Sequence, residues 1–208
     1  MLTQPVTPSD RVTRQPDPNT LAEQLIRPRE GLPPVNDWDP PFCGDMDLRI
    51  ARDGSWHYMG TPIGRQALVR LFSTVLRRDA DGDYYLVTPV EKVRITVDDA
   101  PFVAVGLEVD GEGEGRRLTF VTNVGDRVTA DAAHPLRVEH AESGEPAPYV
   151  RVRDRLDALV SRAVYFELAE LGHARAADAG VDFGVWSSGC FFSLGRLDEA
   201  PGSHGKRE

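Results

Sequence analysis

"CGDMDLRIARDGSWHYMGTPIGR", residues 43–65, gathers a Cys, three Asp, a His, a Trp and a Tyr into one short run. Read as chemistry, it suggests a metal or catalytic site. Read as structure, it is a hairpin feeding a helix, and the structural reading decides the fold. Asp53-Gly54 is a strong signal for a two-residue turn needing positive φ. A two-residue turn would set Arg49 opposite Tyr58, Ile50 opposite His57 and Leu48 opposite Met59. Side chains alternate across a strand, so Leu48, Ile50, His57 and Met59 would share one face, and Arg49, Ala51, Trp56 and Tyr58 the other. On that register Arg49 stacks beside two aromatic rings.

The stretch that follows, "GTPIGRQALVRLFSTVLRR" (60–78), reads as an amphipathic helix. Thr61 is a good N-cap, Pro62 suits the first helical position, and Ile63, Leu68, Leu71, Phe72 and Val75 form the apolar face. Arg77 and Arg78 close it at the end that favours cations. A second long helix is expected in "RDRLDALVSRAVYFELAELG" (153–172), with Leu156, Leu159, Val160, Val164 and Leu168 on one stripe and Gly172 as its stop. Strands are expected in residues 84–97, 101–109 and 116–124 and around 134–139. "VDFGVWSSGCFFSLG" (181–195) closes the chain's folded part as a hairpin turning at Ser188-Gly189.

The expected fold is therefore α+β, in two related halves, 37–97 and 98–196. Each would pack antiparallel strands against one long amphipathic helix. The recurrence of "ALV" at 67–69 and 158–160, and of Tyr58 and Tyr149 ahead of it, suggests an internal duplication. Residues 1–36 read as a Pro-rich, mostly disordered arm with a short helix at 20–27 in "TLAEQLIRP", and 197–208 as a disordered tail.

Composition limits the function. Net charge is −9, with 8 basic and 9 acidic residues in 37–97 but 10 and 17 in 98–196. No basic face interleaved with aromatics offers the footprint that phosphate backbones require, so nucleic-acid binding is disfavoured. No apolar run reaches the ~18 residues of a membrane span, and the first residues lack the apolar core of an export signal. The expectation is a cytoplasmic protein with no membrane role. Cys43 and Cys190 are too few and too far apart for a disulfide framework or a zinc spacing; they could pair only if the fold brought them together, and buried free thiols are expected.

Five ordered blocks carry a family resemblance: the opening stretch, "YLVTPVEKVRITVDDAPF" (85–102), "FVTNVGDRVTADAAHPLRVE" (120–139), "PYVRVRDRLDALVSRAVYFEL" (148–168) and "GVWSSGCFF" (184–192). From about residue 37 to 195 the chain resembles the bacterial family called domain of unknown function 1285. The resemblance implies two related α+β halves and a suggested role in signal transduction. It implies no reaction, ligand or residue role.

A metal site from Cys43, Asp45, Asp47 and His57 is not expected, because His57 falls in an apolar row. No residue stands in a nucleophile-elbow frame, and the alternating carboxylates of "DGEGEG" (110–115) exclude a phosphate loop. The remaining feature is the start of the first helix, where free N–H groups and the helix dipole can hold an anion. Thr61 and Arg65 lie there, with Arg49 and Tyr58 approaching from the hairpin; Arg151 and Arg153 are placed comparably at the second helix. The expected function is a small-ligand binding or sensory module for a small anionic ligand, with Thr61, Arg65, Arg49 and Tyr58 as ligand-binding residues. No cofactor, metal or catalytic residue is expected. The alternative is a protein-interaction factor using Trp186, Phe191 or Phe192, and an enzyme is the least supported class.

Overall fold

Two strands that run parallel at the centre of a sheet need a long crossover, and the chain makes this arrangement twice. A computed structural model describes residues 18–25, 31–140, 144–177 and 180–197. The first half contains α1 (Pro18–Leu25), β1 (Phe42–Ile50), β2 (Trp56–Tyr58), β3 (Thr61–Pro62), α2 (Gln66–Thr74), β4 (Leu76–Arg78), β5 (Tyr84–Val87) and β6 (Lys92–Val97). The second contains β7 (Phe102–Asp110), β8 (Arg117–Thr122), β9 (Arg127–Thr129), β10 (Leu136–His140), β11 (Pro146–Arg153) and β12 (Leu156–Val160). It continues with α3 (Arg162–Glu170), β13 (His173–Ala177), β14 (Gly180–Ser187) and β15 (Cys190–Leu197).

The sheets are β3-β2-β1-β6-β5-β4, β10-β11-β12-β7-β8-β9, and β13-β14-β15. In both six-stranded sheets the first and sixth strands in chain order lie side by side, parallel, and every other neighbour pair is antiparallel. The two sheets therefore share one strand order. One core runs through both, from Leu48, Ile50, Trp56 and Phe72 to Phe102, Phe120, Val150 and Leu168, and on to Val185 and Leu194 of the third sheet.

The fold is thus predominantly β, with three short helices among the described residues, and not antiparallel strands against one long helix per half. Two corrections explain this. The run "LDALV" at 156–160 is not helical: Asp154, at φ 45°, turns the chain tightly, and β12 returns as a central strand between β11 and β7. A short run with four apolar residues in five fits a buried strand as well as a helix, and here the strand wins because both of its edges are paired. The helix begins only at Arg162, where the Ser161 side chain accepts from the Val164 N–H. The recurring "ALV" is consequently helix at 67–69 and strand at 158–160.

The first helix is also shorter than expected. Thr61 and Pro62 pair with β2 as a short strand, and α2 starts at Gln66 with Arg65 as its N-cap residue. At its far end Ser73 and Thr74 hydroxyls bond back to the Arg70 and Leu71 carbonyls, a local competition that weakens a helix C-terminus. Leu76–Arg78 then leave as β4. In the arm, α1 begins two residues before the expected 20–27 and seats Leu21 in the core; the expectations for 1–17, 26–30 and 198–208 lie outside the described residues.

The opening hairpin differs by one residue of register. Ala51 N–H donates to the Ser55 carbonyl, so three residues form the loop, and the pairs are Leu48 with Tyr58, Arg49 with His57 and Ile50 with Trp56. A one-residue slip exchanges faces. Trp56 and Tyr58 pack on the core beside Leu48 and Ile50, while His57 faces Arg49 on the outside. The cause is Asp53, whose Oδ1 accepts from both the Ser55 N–H and hydroxyl and holds the three-residue loop.

The halves are joined closely. Asn123 donates to the Gly54 carbonyl at 3.1 Å while its own carbonyl accepts from Val103 N–H. Arg153 donates to the Ser73 carbonyl of the first half and to Asp126 of the second, with its guanidinium over the Phe102 ring. Gly54 sits at φ +82°, and a Cβ there would lie 2.6 Å from the Asn123 amide nitrogen and 2.9 Å from a Val103 methyl. Calorimetry should show one unfolding transition for the full chain. Gly54→Ala should lower its stability by about 2 kcal/mol or more, from left-handed strain and the clash together. Two separate transitions would contradict the shared core.

Candidate functional site

A cleft of about 730 Å³ opens between the two six-stranded sheets, within the range typical of small-ligand sites. One wall comes from β1, β4, β5, β6 and the turn before β5. The other comes from the linker at 99–100 and from β10, β11 and β12. Its lining is mostly charged and aromatic: Arg78, Tyr84, Arg94, Asp45 and Asp83 on the first wall, and Asp99, Arg137, Glu139, Tyr149 and Asp157 on the second.

The strand order places a matching pair on each wall. Arg78 on edge strand β4 lies directly across from Tyr84 on β5, and its guanidinium sits 5.1 Å from the Tyr84 ring centroid. Arg137 on edge strand β10 lies directly across from Tyr149 on β11, with its guanidinium 4.8 Å from that ring. β4 and β10 are the fourth strands of their sheets and β5 and β11 the fifth, so the two Arg–Tyr pairs occupy the same place in the two halves. Directly opposed side chains on antiparallel strands lie close enough for such stacking.

The pairs differ in how they are held. Arg137 donates to Glu139 and Asp157, and Asp157, nearly buried, also accepts from Arg151. The remaining Nη1 of Arg137 is buried with no hydrogen-bond partner among the described residues. Tyr149 donates its hydroxyl to Asp99 at 2.7 Å, and Asp99 in turn meets Arg52. Burial, with that hydrogen bond, pushes the Tyr149 phenol up to about 12. On the first wall, Arg94 is clamped by Asp45 and Asp83. Arg78 donates its Nε to the Gly82 carbonyl and forms no ion pair among the described residues. Tyr84 has no hydrogen-bond partner for its hydroxyl among them either. Burial raises its pKa, and the charges that act on it include Asp157, Asp99 and Arg137 from across the cleft.

The residues expected from sequence to bind a ligand lie elsewhere. Tyr58 and Thr61 are cross-strand neighbours in β2 and β3, Tyr58 half-buried against the core and Thr61 exposed. Arg65 is exposed at the start of α2, and Arg49 forms a bidentate pair with Asp98 rather than stacking on Trp56 and Tyr58. None of the four lines the cleft. Arg151 and Arg153 stand on β11, not at a helix start. The opening stretch is committed to structure: Cys43 donates to the Pro41 carbonyl, Asp45 accepts from Arg94, and His57 Nε2 lies 2.9 Å from the Ser55 hydroxyl that also binds Asp53. Both thiols are free, but neither is buried as expected: Cys43 is exposed and Cys190 half-buried. In the third sheet Phe192 is buried, and Trp186 and Phe191 stack edge-on, with Arg175 3.9 Å from the Phe191 centroid. No helix among the described residues is long and apolar enough to cross a membrane.

Two family models match the chain: domain of unknown function (DUF1285), N-terminal domain, over residues 33–100, and protein of unknown function (DUF1285), C-terminal domain, over 101–194. The crystal structure of a DUF1285 family protein from Silicibacter pomeroyi DSS-3 is 52% identical, covering 86% of this chain and 95% of that one, with a TM-score of 0.78. A DUF1285 family protein from Shewanella baltica OS155 is 26% identical, covering 60% of this chain and 91% of that one, with a TM-score of 0.48. No curated protein matches the chain.

The raised tyrosines make the stability of the fold depend on alkaline pH. Tyr149 and Tyr85, the latter bonded to Asp81, each ionise near 12 rather than 10.0, so the neutral phenol is favoured in the folded state. The stability they contribute is complete below pH 10 and is lost as pH rises toward 12. Denaturant titrations across that range should show a steep fall for the unmodified protein and a shallower one for Tyr149→Phe. An unchanged slope in the variant would place Tyr149's ionisation outside this window.

Proposed function

The chain belongs to the DUF1285 family, and on that premise we propose that it is a small-ligand binding module whose ligand seats in the cleft between the two six-stranded sheets. The observation that supports this reading is the repeated Arg–Tyr pair. Arg78 with Tyr84 and Arg137 with Tyr149 come from equivalent strands of the two halves and line one cavity of small-molecule size. A guanidinium stacked on a ring is held in place while its edge N–H groups stay available, which is how a binding wall is pre-organised. A ligand in this cleft touches both halves at once, so its presence is coupled to how they sit against each other, the arrangement a sensory module needs.

The interaction reading has less support. Phe192 is committed to the core, and Trp186 and Phe191 are half-buried and covered by Arg175.

The test is thermal unfolding of the purified protein in a deproteinised small-molecule extract of bacterial cells. A ligand at a hundred times its Kd stabilises by about 2.7 kcal/mol, which for a chain of this size raises Tm by several degrees. The rise should vanish in the double variant Tyr84→Ala, Tyr149→Ala and persist in Thr61→Ala and Arg65→Ala. Loss in the Arg65 variant with persistence in the double variant would move the site to the start of α2.

A further inference from the structure

Each wall of the cleft is balanced in charge, and what the walls leave unmet is hydrogen-bond donors. On the first wall Arg78 and Arg94 match Asp45 and Asp83. On the second, Arg52, Arg137 and Arg151 match Asp99, Glu139 and Asp157. Every one of these carboxylates already meets an arginine or a tyrosine at hydrogen-bond distance. The donors are not all used. Beyond its Nε, Arg78 gives neither terminal nitrogen to a partner among the described residues, and the Tyr84 hydroxyl has no partner there. Across the cleft, Arg137 Nη1 is buried without one.

From this inventory, and resting on the cleft reading above, we infer that the ligand is an uncharged small molecule of the cyclic amide or imide class, with carbonyl acceptors at both ends. One carbonyl accepts from Arg78 and Tyr84 on the first wall, and the other accepts from Arg137 on the second. A bond from a guanidinium N–H to a neutral carbonyl is charge-assisted, so each end gains without adding net charge to a balanced site. An anion would set its charge among the carboxylates of both walls, and a cation its charge among the arginines that hold them. Arg137 Nη1 is sealed from water, so a carbonyl that reaches it displaces no bond to solvent. Arg137 stands on edge strand β10, paired on one side only, which lets its stack shift to admit the oxygen. The amide N–H has a use as well: Glu139 bonds Arg137 through one oxygen, and its other oxygen has no partner among the described residues. The flat guanidinium–ring stacks on both walls suit a flat ring between the carbonyls.

Isothermal titration with uracil and cyclo-diglycine, uncharged rings that each carry a pair of carbonyls and a pair of N–H groups, tests this. δ-Valerolactam, with a single carbonyl, succinate and putrescine are the controls. A dicarbonyl ring should bind, and δ-valerolactam should bind about tenfold more weakly or worse. Arg78→Ala should cost the dicarbonyl ring a similar factor. Arg137→Lys, which keeps the charge and removes Nη1, should do the same; if that variant unfolds, Arg78→Ala decides. Succinate or putrescine binding as tightly as the better ring would overturn the inference, as would full ring affinity in Arg78→Ala. If neither ring binds yet the cell extract still raises Tm through Tyr84 and Tyr149, the ligand class is wrong and the cleft reading stands. If the extract gives no rise either, both fail.

Discussion

Two parallel strand pairs, β1 with β6 and β7 with β12, govern the remaining architecture. A parallel pair cannot be closed by a hairpin, so each half must send its chain away from the centre of its sheet and bring it back. Each does so with antiparallel excursions to both edges, and this puts the fourth strand at an edge and the fifth just inside it. Arg78 and Arg137 are on those edge strands and Tyr84 and Tyr149 on their neighbours. The cleft is therefore a consequence of the strand order: once the two sheets pack on one core, their equivalent edges face a common space.

The contacts that hold the halves in place are few and polar at the periphery and apolar at the centre. Arg153 spans the boundary by donating to Ser73 and Asp126 while lying over Phe102, and Asn123 closes the Gly54 turn against Val103. The third sheet is tied in by Ser187, buried, whose hydroxyl accepts from Leu118 N–H and donates to the Ala130 carbonyl. Satisfied buried hydrogen bonds of this kind specify arrangement more than they add net stability. The continuous apolar core supplies the stability, and the polar links set the relative position of the sheets, hence the width of the cleft.

Much of the local structure is legible in the sequence, and its failures have physical causes. Asp53-Gly54 marks the first turn, yet the register depends on Asp53 capping Ser55, which lengthens the loop by one residue and sends Trp56 inward and His57 out. "LDALV" carries both helical and strand spacing, and only its pairing on both sides decides for the strand. Ser161, a good N-cap three residues before Val164, was the available signal for where the helix starts. The candidate site was hidden for a different reason. Arg78 and Tyr84 flank a turn, and Arg137 and Tyr149 flank a longer connection, but nothing in sequence shows that these two hairpins meet. The visible signal was the opposition of an Arg and a Tyr across each hairpin, which a register assignment there would have exposed.

The proposed function requires that the cleft hold a small molecule between Tyr84 and Tyr149. Native mass spectrometry of gently purified protein, compared with its denatured mass, tests it most directly. An added mass of about a few hundred daltons or less is expected, present in the unmodified chain and absent when both tyrosines are replaced by alanine. An added mass that survives in that folded double variant, or a bare chain under conditions that preserve weak complexes, would contradict it.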